Sequence, residues 1–199
     1  MNSKSDCYSA GERRWMEQGQ RLRQWLFDPL LRGLARFQVE PDHITLFALI
    51  AGLFFFPLYS VSPGAAFAAL GLHVLLDGLD GPLARHLGTA SRRGSFLDTF
   101  CDQLVVTVTT LTLMKAGVVG VLAGGFYVFL YAMVVFFAMV RNALEIPYPW
   151  LIRPRFIVYA WMVVDAYFLQ DSLHFVLWGF SLLLGFKMAT GFNKIRRRM

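Results

Sequence analysis

Four aspartates lie within residues 73–105, in two segments otherwise apolar enough to cross a membrane. Asp77 and Asp80 are three residues apart, and Asp98 and Asp102 are four apart, so each pair shares one face of a helix. A charged side chain at the centre of a membrane helix costs roughly 2.5–3.5 kcal/mol, and clustered carboxylates also repel one another. Divalent cations would remove both difficulties, because Mg²⁺, Mn²⁺ and Ca²⁺ prefer carboxylate oxygens as ligands.

The number of carboxylates favours two ions over one. Two ions can share bridging carboxylates and clamp a pyrophosphate between them. We therefore expect two divalent cations, Mg²⁺ or Mn²⁺, held by Asp77, Asp80, Asp98 and Asp102. Glycines follow or precede each pair at helical spacing and remove side chains that would block a bulky ligand; they are Gly81 and Gly94.

The composition indicates that the helices carrying these aspartates cross a membrane. Of 199 residues, 56% are hydrophobic and 16% charged, whereas an ordinary soluble domain carries about 25% charged residues. The N-terminus has no apolar core followed by a small-residue cleavage site, so it does not read as a signal peptide. Six apolar runs approach the roughly 20-residue length of a spanning helix: 43–62, 65–86, 94–114, 118–140, 156–170 and 173–192. We predict an all-α integral membrane protein with six transmembrane helices.

A different pattern precedes the first run. Apolar residues recur there every three to four positions among arginines, at Trp15, Leu22, Trp25, Leu26, Leu30 and Leu34. This pattern predicts an amphipathic helix that lies in the membrane interface. We therefore divide the chain into a cytoplasmic tail with a juxtamembrane helix, 1–40, and a six-helix transmembrane domain, 41–199.

The cations predict the orientation, because Lys and Arg in short loops stay on the cytoplasmic side. With the N-terminus inside, every Lys and Arg except Lys115 falls in a cytoplasmic segment or at a cytoplasmic helix end. Both termini and the aspartates would then be cytoplasmic, in the inner membrane if the source is bacterial. The net charge of +6 is explained by this topology and by anionic membrane lipids, so we expect no nucleic-acid partner.

The aspartates are part of a longer pattern that resembles a known signature. Asp77-Gly-Leu-Asp80-Gly81-Pro-Leu-Ala84-Arg85, eight further residues, and Gly94-Ser-Phe-Leu-Asp98-Thr-Phe-Cys-Asp102 are similar to D-x-x-D-G-x-x-A-R-x8-G-x-x-x-D-x-x-x-D. This is the signature of the CDP-alcohol phosphotransferases (CDP-alcohol phosphatidyltransferases). Every signature position matches, including the length of the spacer.

The resemblance implies an enzyme of phospholipid biosynthesis that is a transferase of substituted phosphate groups. An alcohol acceptor would attack the phosphoryl group of a CDP-alcohol donor, here expected to be CDP-diacylglycerol, and CMP would leave. Asp77, Asp80 and Asp98 would bind metal, and Asp102 would be the general base while also touching the second ion. The resemblance also implies nucleotide contacts at Gly81, Ala84, Arg85 and Gly94. We also expect a homodimer.

Other residues have two readings each. Pro41 and Thr45 are similar to a Pro-Asn-x-x-Thr pattern of many members, with Asp42 in place of asparagine, and Thr45 is either a nucleotide contact or a helix-packing hydroxyl. His73 either orients Asp77 or packs. Arg141, Arg153 and Arg155 either bind a phosphorylated acceptor or the donor's phosphate, or anchor the chain as positive-inside residues.

Two other functional classes would also place acidic residues between membrane helices. A small transporter would do so, but it would not need Gly81, Ala84-Arg85 and Gly94 at fixed spacing. An aspartate-rich intramembrane prenyltransferase also binds a metal pyrophosphate, yet it would carry two widely separated aspartate motifs on a longer chain. The product separates the three classes: CMP, inorganic pyrophosphate, or neither.

The predicted topology can be tested by labelling in a background that lacks Cys7 and Cys101. Ala90→Cys should react with a membrane-impermeant thiol reagent only from the cytoplasmic face, because the loop around it is cationic. Gly64→Cys should react only from the opposite face. Labelling of the Ala90 position from outside would invert the orientation.

Overall fold

The structure is a computed structural model that describes residues 27–144 and 154–197. Residues 27–36 are helical and form α1. Seven further helices follow in these ranges: α2 Pro41–Leu53, α3 Phe55–Val61, α4 Pro63–His86, α5 Arg92–Lys115, α6 Val121–Ala143, α7 Pro154–Tyr167 and α8 Leu173–Arg196. The described part of the chain contains no strand, so the prediction of an all-α protein is confirmed.

Five helical stretches within the described ranges are long and apolar enough to cross a membrane: Pro41–Val61, Pro63–His86, Arg92–Lys115, Val121–Arg141 and Leu173–Arg196. The sixth predicted span, 156–170, corresponds to α7, which has 14 residues. At 1.5 Å per residue α7 is roughly 21 Å long, shorter than a hydrocarbon core of about 30 Å. The count of six spans and the sidedness stay predictions.

The first predicted span is broken into two helices. A turn at Phe54 separates α2 from α3, although the sequence on both sides is uniformly apolar. Pro57 accounts for the break, since a proline has no N–H to donate to the carbonyl four residues earlier, which is that of Leu53. Hydrogen bonding resumes at once: Leu58 N donates to Phe54 O at 3.1 Å.

The described residues fall into two compact units, one formed by 27–109 and the other by 110–144 with 154–197. In the first unit, α4 packs against α2 and α3. In the second, α8 packs against α6 and α7. The helix α5 contributes residues to both units.

The N-terminal helix covers the back of α4 in the first unit. Leu31 is 1% exposed and packs with Ile44, Leu79 and Leu83, surrounded by Phe27, Leu34, Val39 and Leu76. Leu79 and Leu83 lie one helical turn apart, on the side of α4 away from Asp77. Burial of this face therefore fixes the rotation of α4 and turns Asp77 away from α1.

Part of the predicted interfacial helix can be placed. Leu34 packs into the same cluster, whereas Leu30 is 46% exposed. The remaining apolar positions of that helix, Trp15, Leu22, Trp25 and Leu26, lie outside the described residues. The interfacial role and the boundary at residue 40 stay predictions.

Close contact between α2 and its neighbours depends on Gly52. A Cβ on this glycine would lie 2.5 Å from Cγ2 of Val105 and 3.2 Å from Cγ of His73, so any side chain would push the helices apart. Next to it, Nδ1 of His73 hydrogen-bonds to the carbonyl oxygen of Ala48 at 3.0 Å. His73 is 2% exposed. It thus ties α4 to α2, which supports the packing reading of this histidine.

Two caps define the hairpin between α4 and α5. At the end of α4, Gly88 has a φ of +68°, and Gly88 N and Thr89 N donate to the carbonyl oxygens of Arg85 and Ala84. This is the Schellman arrangement, which needs the left-handed conformation that glycine adopts without strain. At the start of α5, Oγ of Ser91 accepts a hydrogen bond from Gly94 N at 3.1 Å. The five residues 87–91 thus end α4 and begin α5.

In the second unit, a buried aspartate on α7 hydrogen-bonds to the start of α8. Asp165 is 5% exposed, and its Oδ1 accepts hydrogen bonds from Leu173 N at 2.7 Å and from Oγ of Ser172 at 3.2 Å. Nε1 of Trp161 in turn donates to Oγ of Ser172 at 3.0 Å. An acidic side chain at the first N–H groups of a helix satisfies their unpaired hydrogens and suits the positive end of the helix dipole. Asp165 on α7 therefore caps the N-terminus of α8.

We expect Asp165→Ala to lower the free energy of unfolding by about 0.5–2 kcal/mol, the range for loss of a helix cap. Asp165→Asn keeps an acceptor oxygen and should lose less. Thermal unfolding of the purified protein in detergent measures both variants. Equal stability of Asp165→Ala and the unchanged protein would contradict the capping role.

Candidate active site

The two aspartate pairs lie at matching depths in the α4–α5 hairpin. Asp80 lies six residues before the end of α4, and Asp98 lies six residues after the start of α5, so each is roughly 9 Å along its helix from the loop. Asp77 and Asp102 are nine and ten residues from the same ends, which is roughly 14–15 Å. The eight-residue spacer and the two caps therefore place the pairs side by side.

Three of these carboxylates converge. Asp77, Asp98 and Asp102 each present an oxygen atom, and the three oxygens lie within 4.8 Å of one another. Asp102 is 7% exposed, while Asp77 and Asp98 are half-buried. Asp102 is thus the most enclosed member of the group.

Asp80 is held differently. Its Oδ2 accepts a hydrogen bond of 2.7 Å from the hydroxyl of Thr45 on α2, and its Oδ1 accepts one from Gly81 N. Asp80 and Thr45 are 7% and 6% exposed. Among the described residues, the group of three acidic side chains that could hold an ion does not include Asp80.

Glycines leave room beside the carboxylates. A Cβ on Gly81 would lie 3.4 Å from Nη1 of Arg85, so the guanidinium folds back over the glycine one turn earlier. A Cβ on Gly94 would lie 3.7 Å from Oδ1 of Asp42. The glycines that were predicted to admit a ligand are therefore lined by one cationic and one anionic side chain. Ala84 is half-buried on the same helix.

The chemistry of this group fits a divalent cation. Carboxylate oxygens at such spacing match the hard oxygen ligands that Mg²⁺ and Mn²⁺ take, and an ion bound there would offset the mutual repulsion of the three anions. Asp77, Asp98 and Asp102 would hold it.

The residues predicted to recognise the acceptor lie in the second unit. Arg141, near the end of α6, is 3% exposed, and Arg155, near the start of α7, is 2% exposed. The Arg155 guanidinium carbon also lies 4.6 Å from the centre of the Phe156 ring, a distance typical of cation–π contacts. Arg153 lies outside the described residues.

Sequence reasoning missed two features of this site. The first is the hydrogen bond from Thr45 to Asp80, which joins residues that are 35 positions apart. A buried threonine hydroxyl needs a hydrogen-bond acceptor, but sequence periodicity cannot show which residue supplies it. The approach of Asp42 to Gly94 follows from the packing of α2, and only the departure from asparagine marked that position.

Metal binding by this group can be tested without any assumption about the reaction. Asp98→Asn should weaken Mn²⁺ binding by more than the about 10–100-fold that loss of a ligand's supporting residue causes, because a ligand itself is removed. The free Mn²⁺ signal in electron paramagnetic resonance gives the affinity directly. Asp28→Asn is the control, since Asp28 lies on α1 outside the group and its half-exposed side chain pairs with Arg32 at 2.9 Å. Equal Mn²⁺ affinities for the two variants would exclude the proposed ligand group.

Comparison with known proteins identifies the family. Residues 38–187 match the CDP-alcohol phosphatidyltransferase family. The chain is 41% identical over 81 residues to the phosphatidylinositol phosphate synthase of Mycobacterium marinum, covering 39% of this chain and 34% of that protein. It is 35% identical over 101 residues to the archaetidylinositol phosphate synthase of Aeropyrum pernix, covering 48% and 52%. These matches span about a third to a half of the curated relatives.

The fold is also found among solved structures. The Mycobacterium tuberculosis phosphatidylinositol phosphate synthase with CDP-DAG bound superimposes with a TM-score of 0.71 at 20% identity, covering 87% of this chain and 92% of that one. The same enzyme in complex with manganese and citrate gives a TM-score of 0.70 at 21% identity, covering 83% and 86%.

The family resemblance of the aspartate signature is confirmed by these matches, and the expected divalent cation agrees with the manganese of the solved relative. Because the matched region, 38–187, spans well over half of the 199 residues, this chain belongs to the CDP-alcohol phosphatidyltransferase family.

Proposed function

We propose that this protein transfers a phosphatidyl group from CDP-diacylglycerol to an alcohol acceptor and releases CMP, as a step of phospholipid biosynthesis. The observation that carries the proposal is the convergence of Asp77, Asp98 and Asp102 within 4.8 Å in a chain that belongs to this family. The relatives' names and the CDP-DAG in a solved relative support the choice of donor.

The reaction assigns a task to each group. The acceptor's hydroxyl oxygen forms a bond to the phosphorus that carries the diacylglycerol, and the bond from this phosphorus to the bridging oxygen breaks. That oxygen leaves with CMP. The hydroxyl proton goes to the carboxylate of Asp102, which is enclosed and belongs to the converging group. A proton acceptor within hydrogen-bond reach of the attacking hydroxyl is what such a displacement needs.

Charge on the donor must be offset at the same place. Two divalent cations, Mg²⁺ or Mn²⁺, would supply that charge when bound by Asp77, Asp80, Asp98 and Asp102. Arg85, whose guanidinium lies over Gly81, can donate to a phosphate oxygen. The proposed nucleotide surface is completed by small, half-buried positions of α4 and α5: Gly81, Ala84 and Gly94.

Burial of the two arginines bears on the acceptor. Arginines that only anchor the chain should reach the headgroups or water, as the exposed Arg92, Arg93 and Arg196 do. Arg141 and Arg155 are instead buried, and buried guanidinium groups are suited to binding a phosphate as a fork. We therefore propose an acceptor that carries a phosphate, with Arg153 as a third contact.

The same proposal includes the cellular arrangement. The six-span domain at 41–199 would follow the cytoplasmic segment at 1–40, with both termini and the aspartates on the cytoplasmic side, and in the inner membrane if the source is bacterial. The protein would act as a homodimer. The supporting observation for the sidedness is the cationic first turn of α5, directly after the α4–α5 loop, where Arg92 and Arg93 are exposed. The transporter and prenyltransferase alternatives gain no support from the family match.

Release of CMP tests the reaction and the acceptor together. The purified protein with Mn²⁺ and CDP-diacylglycerol should release CMP with inositol phosphate or glycerol 3-phosphate, and much less with inositol, serine or choline. No CMP with any acceptor would contradict the reaction. CMP with only an unphosphorylated acceptor would contradict the acceptor class.

Arg141→Gln should raise the KM for the phosphorylated acceptor at least tenfold, because one charged hydrogen bond contributes about 1.5–3 kcal/mol, and it should leave the KM for CDP-diacylglycerol unchanged. The exposed Arg196→Gln is the matched control and should leave both unchanged.

A further inference from the structure

The hydroxyl of Thr45 has one proton and two possible acceptors in the structure. It lies 2.7 Å from Oδ2 of Asp80 and 3.2 Å from the carbonyl oxygen of Pro41, one turn earlier in α2. A hydroxyl donates one hydrogen bond, and the shorter bond to an ionised carboxylate is the stronger. The hydroxyl therefore donates its hydrogen bond to Asp80. It cannot donate to a nucleotide at the same time.

This bond reaches Asp80 from another helix. Gly81 N, which donates to Oδ1, belongs to α4 and moves with the aspartate. Thr45 belongs to α2 and is buried, so it fixes the carboxylate relative to a second element. The nearby bond between His73 and Ala48 O and the absence of a side chain at Gly52 hold the same two helices together.

We propose that Thr45 is a positioning residue for Asp80, which it holds in the orientation that completes the metal site, and that it does not act on the nucleotide. The inference rests on the proposed function for the assignment of Asp80 as a metal ligand. Carboxylates that bind metals are commonly held by hydrogen bonds of this kind, and removal of the supporting group typically lowers metal affinity by about 10–100-fold. Without the hydroxyl, Asp80 keeps its charge but loses the contact that sets its rotamer.

The test compares Thr45→Val, Thr45→Ser and Thr109→Val by electron paramagnetic resonance of Mn²⁺. Thr45→Val removes the hydroxyl at nearly constant volume and should lower Mn²⁺ affinity by about 10–100-fold, whereas Thr45→Ser keeps the donor and should stay within about threefold. Thr109 is the matched control, since it is buried in the same unit and the acceptors of its hydroxyl lie on its own helix, with Val105 O at 2.7 Å and Val106 O at 3.1 Å as alternatives.

A double-substitution cycle adds a readout that loss of packing would not change. On an Asp80→Asn background, Thr45→Val should have little further effect on Mn²⁺ affinity, because residues that act through one another are not additive. The proposal is overturned if the two effects add, if Thr109→Val lowers Mn²⁺ affinity as much, or if Thr45→Val leaves Mn²⁺ affinity unchanged and weakens only CDP-diacylglycerol binding. Failure of the unchanged protein to release CMP would contradict the proposed function alone, since the Mn²⁺ measurements decide the role of Thr45 independently.

Discussion

Repulsion among carboxylates is the constraint on which the rest of the first unit depends. Two unit charges 4.8 Å apart repel by about 3.5 kcal/mol at an effective dielectric constant of about 20, before screening by solvent. Asp77, Asp98 and Asp102 contain three such pairs. The helices must therefore be held together by contacts elsewhere, and they are: Leu31 packs behind α4, Gly52 permits close contact with Val105, and His73 bonds to Ala48. The apolar packing holds an arrangement that the charges alone would separate.

Much of this site could be predicted from the sequence because helical geometry is regular. The spacing of the aspartates determines which of them share a face, and the length of the spacer determines their depth in the hairpin. The hairpin ends could also be recognised, since Gly88 and Ser91 are residues that stop and start helices. What the pattern could not show was which partner each polar group finds across space, as with Thr45 and Asp80.

Hydropathy carries no information on backbone hydrogen bonds or on burial. The structure therefore differs from the sequence-based picture at several further positions. The break at Phe54 comes from the missing N–H of Pro57 inside a uniformly apolar run. Asp165 places an acidic side chain inside an apolar run, and it is satisfied by the N–H of Leu173 and the hydroxyl of Ser172. Arg141 and Arg155 are buried, which distinguishes them from the exposed arginines of the chain. A hydropathy pattern records only whether each of these residues is charged or apolar. The fold shows in addition which of them is buried and which hydrogen bonds it makes or lacks.

The packing of α1 behind α4 bears on where the working domain begins. The family match starts at residue 38, yet Leu31 is among the least exposed residues of the first unit, in contact with Leu79 and Leu83. A protein shortened to the matched region would expose the back of the helix that carries Asp77 and Asp80. Substitutions in the segment before residue 38 can thus alter the aspartates through the rotation of α4, without touching any of them.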